Sequence, residues 1–328
     1  MSESLTLPHV MACSGCGNAV PLRLTVCPSC HALIHRAQLQ SLAAEAEAAE
    51  RVGAWAQAVR LWRDALPLLP RGSKQHDAIV ARITAATGQL NETPAKPRSG
   101  WGKLLAPFAA VGAMLWKVKF LLAGLTKLGT VLSMLGFVLV YWGAYGWPFA
   151  VAIVVTIYIH EMGHVAALQR FGIAATAPMF VPGFGAYVRL QEHPATAGED
   201  ARVGLAGPIW GVAAAVVSLA GAFLLHSRFL FAVAHVTAVI NLFNLTPIWQ
   251  LDGGRGFNAM SRVQRVLLIA MAGSAWAFTR DYTFAFVVVG GIYRLFQRDV
   301  PNEPDWGAFT QFVGLLAVIA AVVYAAVR

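Results

Sequence analysis

Residues 148–168 form an apolar run interrupted by His160, Glu161 and His164, in the order His-Glu-Met-Gly-His. Four residues of α-helix advance about 400°, which is about 40° past a full turn, so the two imidazoles face one point. This spacing lets a helix offer two ligands to one divalent ion. The Glu between them can take a proton from a water that the ion polarises. An ionisable side chain inside a membrane helix costs roughly 2.5–3.5 kcal/mol. Three of them in five positions require a compensating partner, and a metal ion suits their chemistry. The reaction class indicated is metal-assisted hydrolysis.

Two histidines leave such a site incomplete, because hydrolytic zinc sites commonly take three protein ligands and keep one position open. The extended pattern H-E-x-x-H-x-x-G-x-x-H fails here, since its later positions hold Ala167 and Arg170. Glu192 and Glu199 lie at a workable distance downstream, but in a polar, Pro-containing loop. Asp252 is the better candidate. It closes a second apolar run, so the bilayer itself can bring it back to the histidine pair.

A second constellation lies near the start of the chain. Cys13-Ser-Gly-Cys16 and Cys27-Pro-Ser-Cys30 are two hooks ten residues apart, and four thiolates so spaced close a tetrahedral Zn2+ site. So short a segment has little core, and the metal would supply much of its folding free energy. Residues 1–36 therefore read as a short zinc ribbon. Cys27 to His31 also spells C-x-x-C-H, the haem-attachment pattern, but haem attachment would require export and would leave Cys13 and Cys16 without a role. Met1–Gly17 lacks the basic start and long apolar core of a secretory signal. The head is thus expected in the cytosol, where such cysteine pairs bind metal more often than they form disulfides.

Residues 37–90 are Ala-rich with helical spacing. Gly53–Pro70, with Trp55 and Trp62, resembles the second half of a tetratricopeptide repeat (TPR). Residues 38–50 would be its first helix, and 74–88 would begin the next unit. A plain helical hairpin with both tryptophans in its core is the alternative. Either reads as a docking module for a cytosolic protein partner. Residues 91–100 are a linker by composition.

The elements that must position the His pair and Asp252 are set by apolar composition. The chain is 57% hydrophobic and 12% charged, a membrane-protein profile. Its net charge of +9 comes from Lys and Arg in the short segments between apolar runs, and no basic helix or RNA-type motif points to nucleic acid. Runs long enough to cross the bilayer lie near 128–146, 148–168, 203–225, 229–250, 264–280, 282–297 and 307–327. Residues 104–126 carry Lys117 and Lys119 and are expected to lie in the interface as an amphipathic helix. With the head inside, twelve Lys and Arg fall on inner segments against Arg228, Arg280 and Arg328 outside, which supports that orientation. The expected fold is mainly α: a polytopic membrane bundle of about six to seven spans over 101–328, carrying the soluble head. Ala177–Gln191 is short, apolar and rich in Pro and Gly, and predicts a small re-entrant β-hairpin with a strand over 186–191.

Taken together, His160-Glu161-x-x-His164 in one span and Asn244-x-x-Pro247-x-x-x-Leu251-Asp252-Gly253-Gly254 at the end of another resemble the site-2 protease family of intramembrane zinc metallopeptidases. Ala206-Gly207-Pro208 and the loop from Pro182 to Leu190 match the family's habits too. The resemblance covers roughly residues 100–328. It implies hydrolysis of peptide bonds in membrane-spanning substrates, with His160, His164 and Asp252 on zinc and Glu161 as general base and then proton donor. Asn244 would bind substrate backbone or the developing oxyanion. Pro247 would break the helix so that Asp252 turns inward, and Gly253 and Gly254 would let the backbone bend. The cofactor set is then one catalytic and one structural zinc. By contrast, Asn241 and His235 read as structural side chains, and Gly204, Gly207 and Gly211 as a small-residue stripe that packs its helix against the catalytic pair. No PDZ-like domain interrupts the core, which places any regulation on the cytosolic head. The alternative is a catalytically silent membrane scaffold that recruits partners through that head, against which the intact Glu161 argues.

Overall fold

The computed structural model describes residues 10–91, 127–181, 185–188, 194–297, 300–301 and 303–327, and divides into two compact units, Met1–Lys96 and Pro97–Arg328. The linker beyond Asn91, the interfacial helix expected over 104–126 and Glu192 lie outside the described residues.

In the smaller unit, β1 (Val10–Ala12) pairs antiparallel with β2 (Ala19–Pro21), Met11 opposite Val20. Both cysteine hooks close by the same backbone device. Gly17 N–H donates to the Cys13 carbonyl at 2.8 Å, and His31 N–H donates to the Cys27 carbonyl at 2.9 Å. Each hook is followed by left-handed backbone, φ +76° at Gly17 and +58° at His31. His31 thus occupies the turn position that glycine takes in the first hook, and histidine is among the side chains that tolerate it.

Helices α1 (Arg36–Arg51), α2 (Trp55–Ala65) and α3 (Lys74–Asn91) follow, with α2 packed against both of the others. Gly53, at φ +73°, ends α1, where the Ala54 N–H reaches back to the Ala49 carbonyl at 2.9 Å. Trp62 is buried, and its indole N–H donates to Glu50 at 2.7 Å. Arg82 of α3 lies over the Trp62 ring and pairs with Glu50 at 2.9 Å and Glu47 at 3.3 Å, which ties α3 to α1. Trp55 is only half-buried, so the core expected around both tryptophans forms around Trp62.

The larger unit is helical apart from one hairpin. Its elements are α4 (Leu128–Tyr145), α5 (Trp147–Arg170), β3 (Met179–Val181), β4 (Gly185–Tyr187), α6 (Ala197–Leu225), α7 (Arg228–Asn244), α8 (Asp252–Asn258), α9 (Arg262–Thr279), α10 (Thr283–Leu295) and α11 (Trp306–Val327). Among the described residues, α4, α5, α6 and α11 are long and apolar enough to cross a membrane, while α7 and α10 are apolar but shorter. The 24 residues of α5 extend about 36 Å, more than a ~30 Å hydrocarbon core.

Local chemistry sets the ends of these helices. Pro148 stands in the first turn of α5, where its missing N–H costs nothing. Gly172 (φ +71°) stops α5 two residues past its last helical residue, Arg170, with the Ile173 N–H on the Leu168 carbonyl at 2.9 Å and the Gly172 N–H on the Gln169 carbonyl at 3.0 Å. α6 begins at Ala197 rather than 203 because Thr196 caps it, accepting from the Glu199 N–H at 3.0 Å. α7 stops at Asn244, not 250. Pro247 cannot donate to a helix and disfavours helical backbone at Thr246, so residues 245–251 turn instead.

Strands β3 and β4 pair antiparallel with Phe180 opposite Ala186. Phe180 is buried edge-on to Phe137 of α4, 5.9 Å between centroids, and its N–H donates to Ser133 at 3.2 Å. The observed second strand, 185–187, starts earlier than the expected 186–191. One apolar core joins α4, α5 and the hairpin around Phe137, Ile157 and Phe180. Another joins α6 to α11 around Leu205, Leu242, Phe257 and Phe312.

Candidate metal centre and its supports

His160 and His164 project from α5 as the four-residue spacing requires, and Asp252 opens α8 just beyond the turn that Pro247 imposes. The structure brings the three together although Asp252 is 88 residues from His164 in the chain. His160 Nε2 lies 3.2 Å from His164 Nε2 and 3.1 Å from Asp252 Oδ2, and His164 Nε2 lies 3.3 Å from Asp252 Oδ1. All three residues are buried, as is Glu161.

The hydrogen bonds behind the rings fix which nitrogens face the centre. The Val203 carbonyl can only accept, so His164 Nδ1 carries a proton and donates to it at 2.8 Å. The Asn241 amide nitrogen donates to the Thr237 carbonyl at 2.8 Å, which turns Asn241 Oδ1 toward His160. His160 Nδ1 then donates to that oxygen at 2.8 Å. In the neutral rings both Nε2 atoms then present lone pairs toward each other and toward a carboxylate. Three acceptors so placed repel unless a cation lies among them. Ligands about 2.0–2.1 Å from a tetrahedral zinc are ~3.3 Å apart, which is the separation found. The donor set therefore fits a zinc ion, and its outer partners are of the kind that orient metal-bound histidines.

The glycine stripe of α6 packs against the catalytic pair, as its spacing suggests, and it seats more than the two rings. A Cβ on Gly207 would stand 2.5 Å from His164 Cε1 and 2.7 Å from His160 Nε2, inside the space the three ligands enclose. One on Gly211 would lie 2.5 Å from the Asn241 amide nitrogen, and one on Gly204 would lie 2.7 Å from the Arg255 Cβ. These glycines admit the imidazoles, the amide that orients one of them, and the helix that carries Asp252. The expected close packing against the catalytic pair is met at Gly207, and Gly204 and Gly211 extend it to α8 and to Asn241. At Gly163 the closeness is of two helices: a Cβ would meet the Ala206 carbonyl at 2.5 Å.

Asp252 is steadied from its own helix. Arg255, one turn on, donates from Nε to Asp200 at 2.8 Å, and its Nη2 lies 2.7 Å from the same carboxylate, which fastens α8 to the first turn of α6. Arg265 is fully buried and donates to the carbonyls of Phe257, Met260 and Arg294, which closes the other end of α8.

Of the other residues singled out from the sequence, Asn244 ends α7 half-buried, and His235 lies on α7 with its Nδ1 buried and unpartnered among the described residues. Glu199 accepts from the Ala195 N–H at 2.9 Å and belongs to the cap of α6, not to the metal centre. Sequence reasoning set Asn241 aside and did not consider Val203 or Asp200. An amide inside an apolar run was the one available signal for Asn241.

In the smaller unit all four cysteines are free thiols. Cys13 and Cys30 sulfurs are 3.6 Å apart, and Cys16 and Cys27 sulfurs 3.7 Å apart, close to the ~3.8 Å edge of a zinc–thiolate tetrahedron. Hydrogen bonds from the backbone N–H groups of Cys30 and Ser29 pull the Cys27 thiol down to about 6. The Ala32 N–H favours the Cys30 thiolate, yet burial and the three neighbouring sulfurs push that thiol up to about 12. Four thiolates cannot crowd together without a cation, and the set could hold a metal ion.

The family model described as peptidase family M50 matches residues 148–227. That stretch spans α5, the hairpin and α6, and it contains His160, Glu161 and His164 but not Asp252. No curated protein and no solved structure matches the chain.

Proposed function

We propose that the protein is an intramembrane zinc metalloprotease that hydrolyses peptide bonds of membrane-spanning substrates, in the manner of regulated intramembrane proteolysis. The observation that carries this reading is the convergence of two imidazole Nε2 atoms and a carboxylate within 3.3 Å, buried in an apolar helical unit and next to Glu161. The match to peptidase family M50 over the helix bearing the His pair supports it.

In this reading His160, His164 and Asp252 hold the ion. A zinc ion bound there supplies Lewis acidity toward the scissile carbonyl and a water nucleophile at neutral pH. Glu161 takes the proton released as water attacks and delivers it to the leaving amine. Asn244 donates its amide to substrate backbone or to the developing oxyanion. Asn241 and the Val203 carbonyl hold both rings with Nε2 inward, and Arg255 with Asp200 keeps Asp252 in place. Water is excluded from the surroundings by the apolar cores on either side.

The edge of the hairpin offers backbone groups on which an unwound substrate strand adds. Val188→Pro removes one such donor just past β4 and is expected to lower cleavage while both zinc ions stay bound. Full turnover in that variant would dismiss the hairpin's role. The body crosses the bilayer six to seven times, with α9 and α10 among the spans, and the head lies on the cytosolic face, where it recruits a protein partner.

The decisive experiment compares the membrane proteomes of cells carrying the protein and its Glu161→Gln variant. Fragments cut within a span are expected only with the unsubstituted protein, at equal protein level and with two zinc ions per chain in both. Identical fragment patterns would overturn the proteolytic reading.

A further inference from the structure

The three helices of the smaller unit enclose a groove of about 350 Å³, comparable with the smaller ligand clefts. One wall is a stripe of α1, Arg36, Leu39, Gln40 and Ala43. The other is the matching stripe of α3, Gln75, Ala78, Ile79 and Arg82, and Trp62 and Leu69 form the floor. Both stripes follow the i, i+3, i+4, i+7 rule, so each helix turns one face to the same space. The surface is almost wholly apolar, and Leu39 and Ile79 remain half-buried without a covering element in the unit.

The groove has two unlike ends. At one, Arg82 is engaged by Glu47, Glu50 and the Trp62 ring, so its charge is met and the cleft is closed. At the other, Arg36 is exposed with no partner among the described residues, and Arg71 and Lys74 stand exposed at the turn into α3. Between the ends, Gln40 and Gln75 set amides on facing walls.

We propose that this groove docks a short peptide segment of another protein, one that carries two or three large apolar side chains next to a carboxylate. The apolar side chains fill the cleft over Trp62, and the carboxylate meets Arg36 at the open end. The two amides hydrogen-bond peptide backbone, a use that an alkyl chain could not make of them. The chain's own downstream stretch is unsuited, because residues 93–160 contain no Asp or Glu to complement the cationic end. The inference rests on the head acting as a docking module and is independent of whether the larger unit cleaves peptides.

The test selects random displayed dodecapeptides on the full-length protein in lipid nanodiscs, followed by fluorescence anisotropy with the synthetic winners. Enriched sequences are expected to pair an acidic residue with two or three large apolar ones. Their affinity should fall at least tenfold for Ala78→Trp, which fills the cleft from an exposed position, and about fivefold for Arg36→Glu. Zinc content and circular dichroism confirm that each variant folds, and Ile79→Asp replaces Ala78→Trp if the latter does not. The proposal fails if no peptide is enriched over empty nanodiscs, if winners lack acidic residues, or if Ala78→Trp binds them equally. It fails also if laurate displaces them as well as peptide does, which would make the cleft a lipid site. Binding that emerges only after removal of residues 1–9, which carry Glu3, Leu5 and Leu7, would show a groove filled from within the chain and would overturn the external partner.

Discussion

Gly207→Ala is the smallest change that reaches the metal centre. The added carbon would stand 2.5 Å from His164 Cε1 and 2.7 Å from His160 Nε2, whereas carbon atoms in contact sit about 3.5–4.0 Å apart. A ring must therefore retreat by about 1 Å or more. His164 cannot yield easily, because its Nδ1 is held at 2.8 Å by the Val203 carbonyl, one turn before Gly207 on the same helix. Metal–ligand distances tolerate only about 0.2 Å. Either the ring loses its carbonyl or its Nε2 leaves the centre, and loss of such an outer partner alone weakens metal binding about 10–100-fold. A misplacement of this size lowers catalysis about a hundredfold. Zinc measured by mass spectrometry on purified protein should fall from two ions per chain toward one, with cleavage of membrane substrates falling in step. Gly221→Ala on the same helix is the control, since its carbon meets only a flexible Leu230 methyl at 3.2 Å. A Gly207→Ala protein that keeps two zinc ions and full cleavage would refute the geometry on which the site is built.

Two further outcomes test the outer parts of the argument. Asn241→Leu removes the oxygen that holds His160 and should weaken zinc at the centre about 10–100-fold, read by chelator competition, with the ribbon zinc unaffected; unchanged affinity would return Asn241 to a plain packing role. For the ribbon, Cys27 sits at about 6, below its ordinary value of 9.0, so the fold favours its thiolate and protonation opposes it. In an Asp252→Ala background, followed with a colorimetric chelator, zinc should stay bound at pH 7 and be released only as pH falls below the free-thiol value of about 6, because the ion competes with the proton for the thiolate. Release already under way at pH 8 would contradict that sign.

Most of the centre is legible in the chain because its ligands are conspicuous. His160, Glu161, His164 and Asp252 are ionisable groups in apolar runs, and the cost of burying them marks them. What holds them is not conspicuous. Asn241 and Asn244 lie within one turn of α7, about 60° apart around it, and only the crossing of α7 against α5 decides which one meets His160. The stripe Gly204, Gly207, Gly211 announces a close approach to the catalytic pair, but not that it also seats the Asn241 amide and the Arg255 side chain. Asp200 pairs with Arg255 across 55 residues, and nothing local to either predicts it. Span boundaries were read from hydropathy, which is blind to caps: Thr196 starts α6 early, and Pro247 ends α7 before its apolar run is over.

The glycine face of α6 has one more consequence. Along that flank the chamber is bounded by peptide, and peptide has no rotamers. Side chains can swing aside to admit a guest, but a bare backbone can yield only by carrying its whole helix with it. The His pair is thus shut on this flank by a rigid partition, and any lateral widening there must displace Asn241, Arg255 and both rings together.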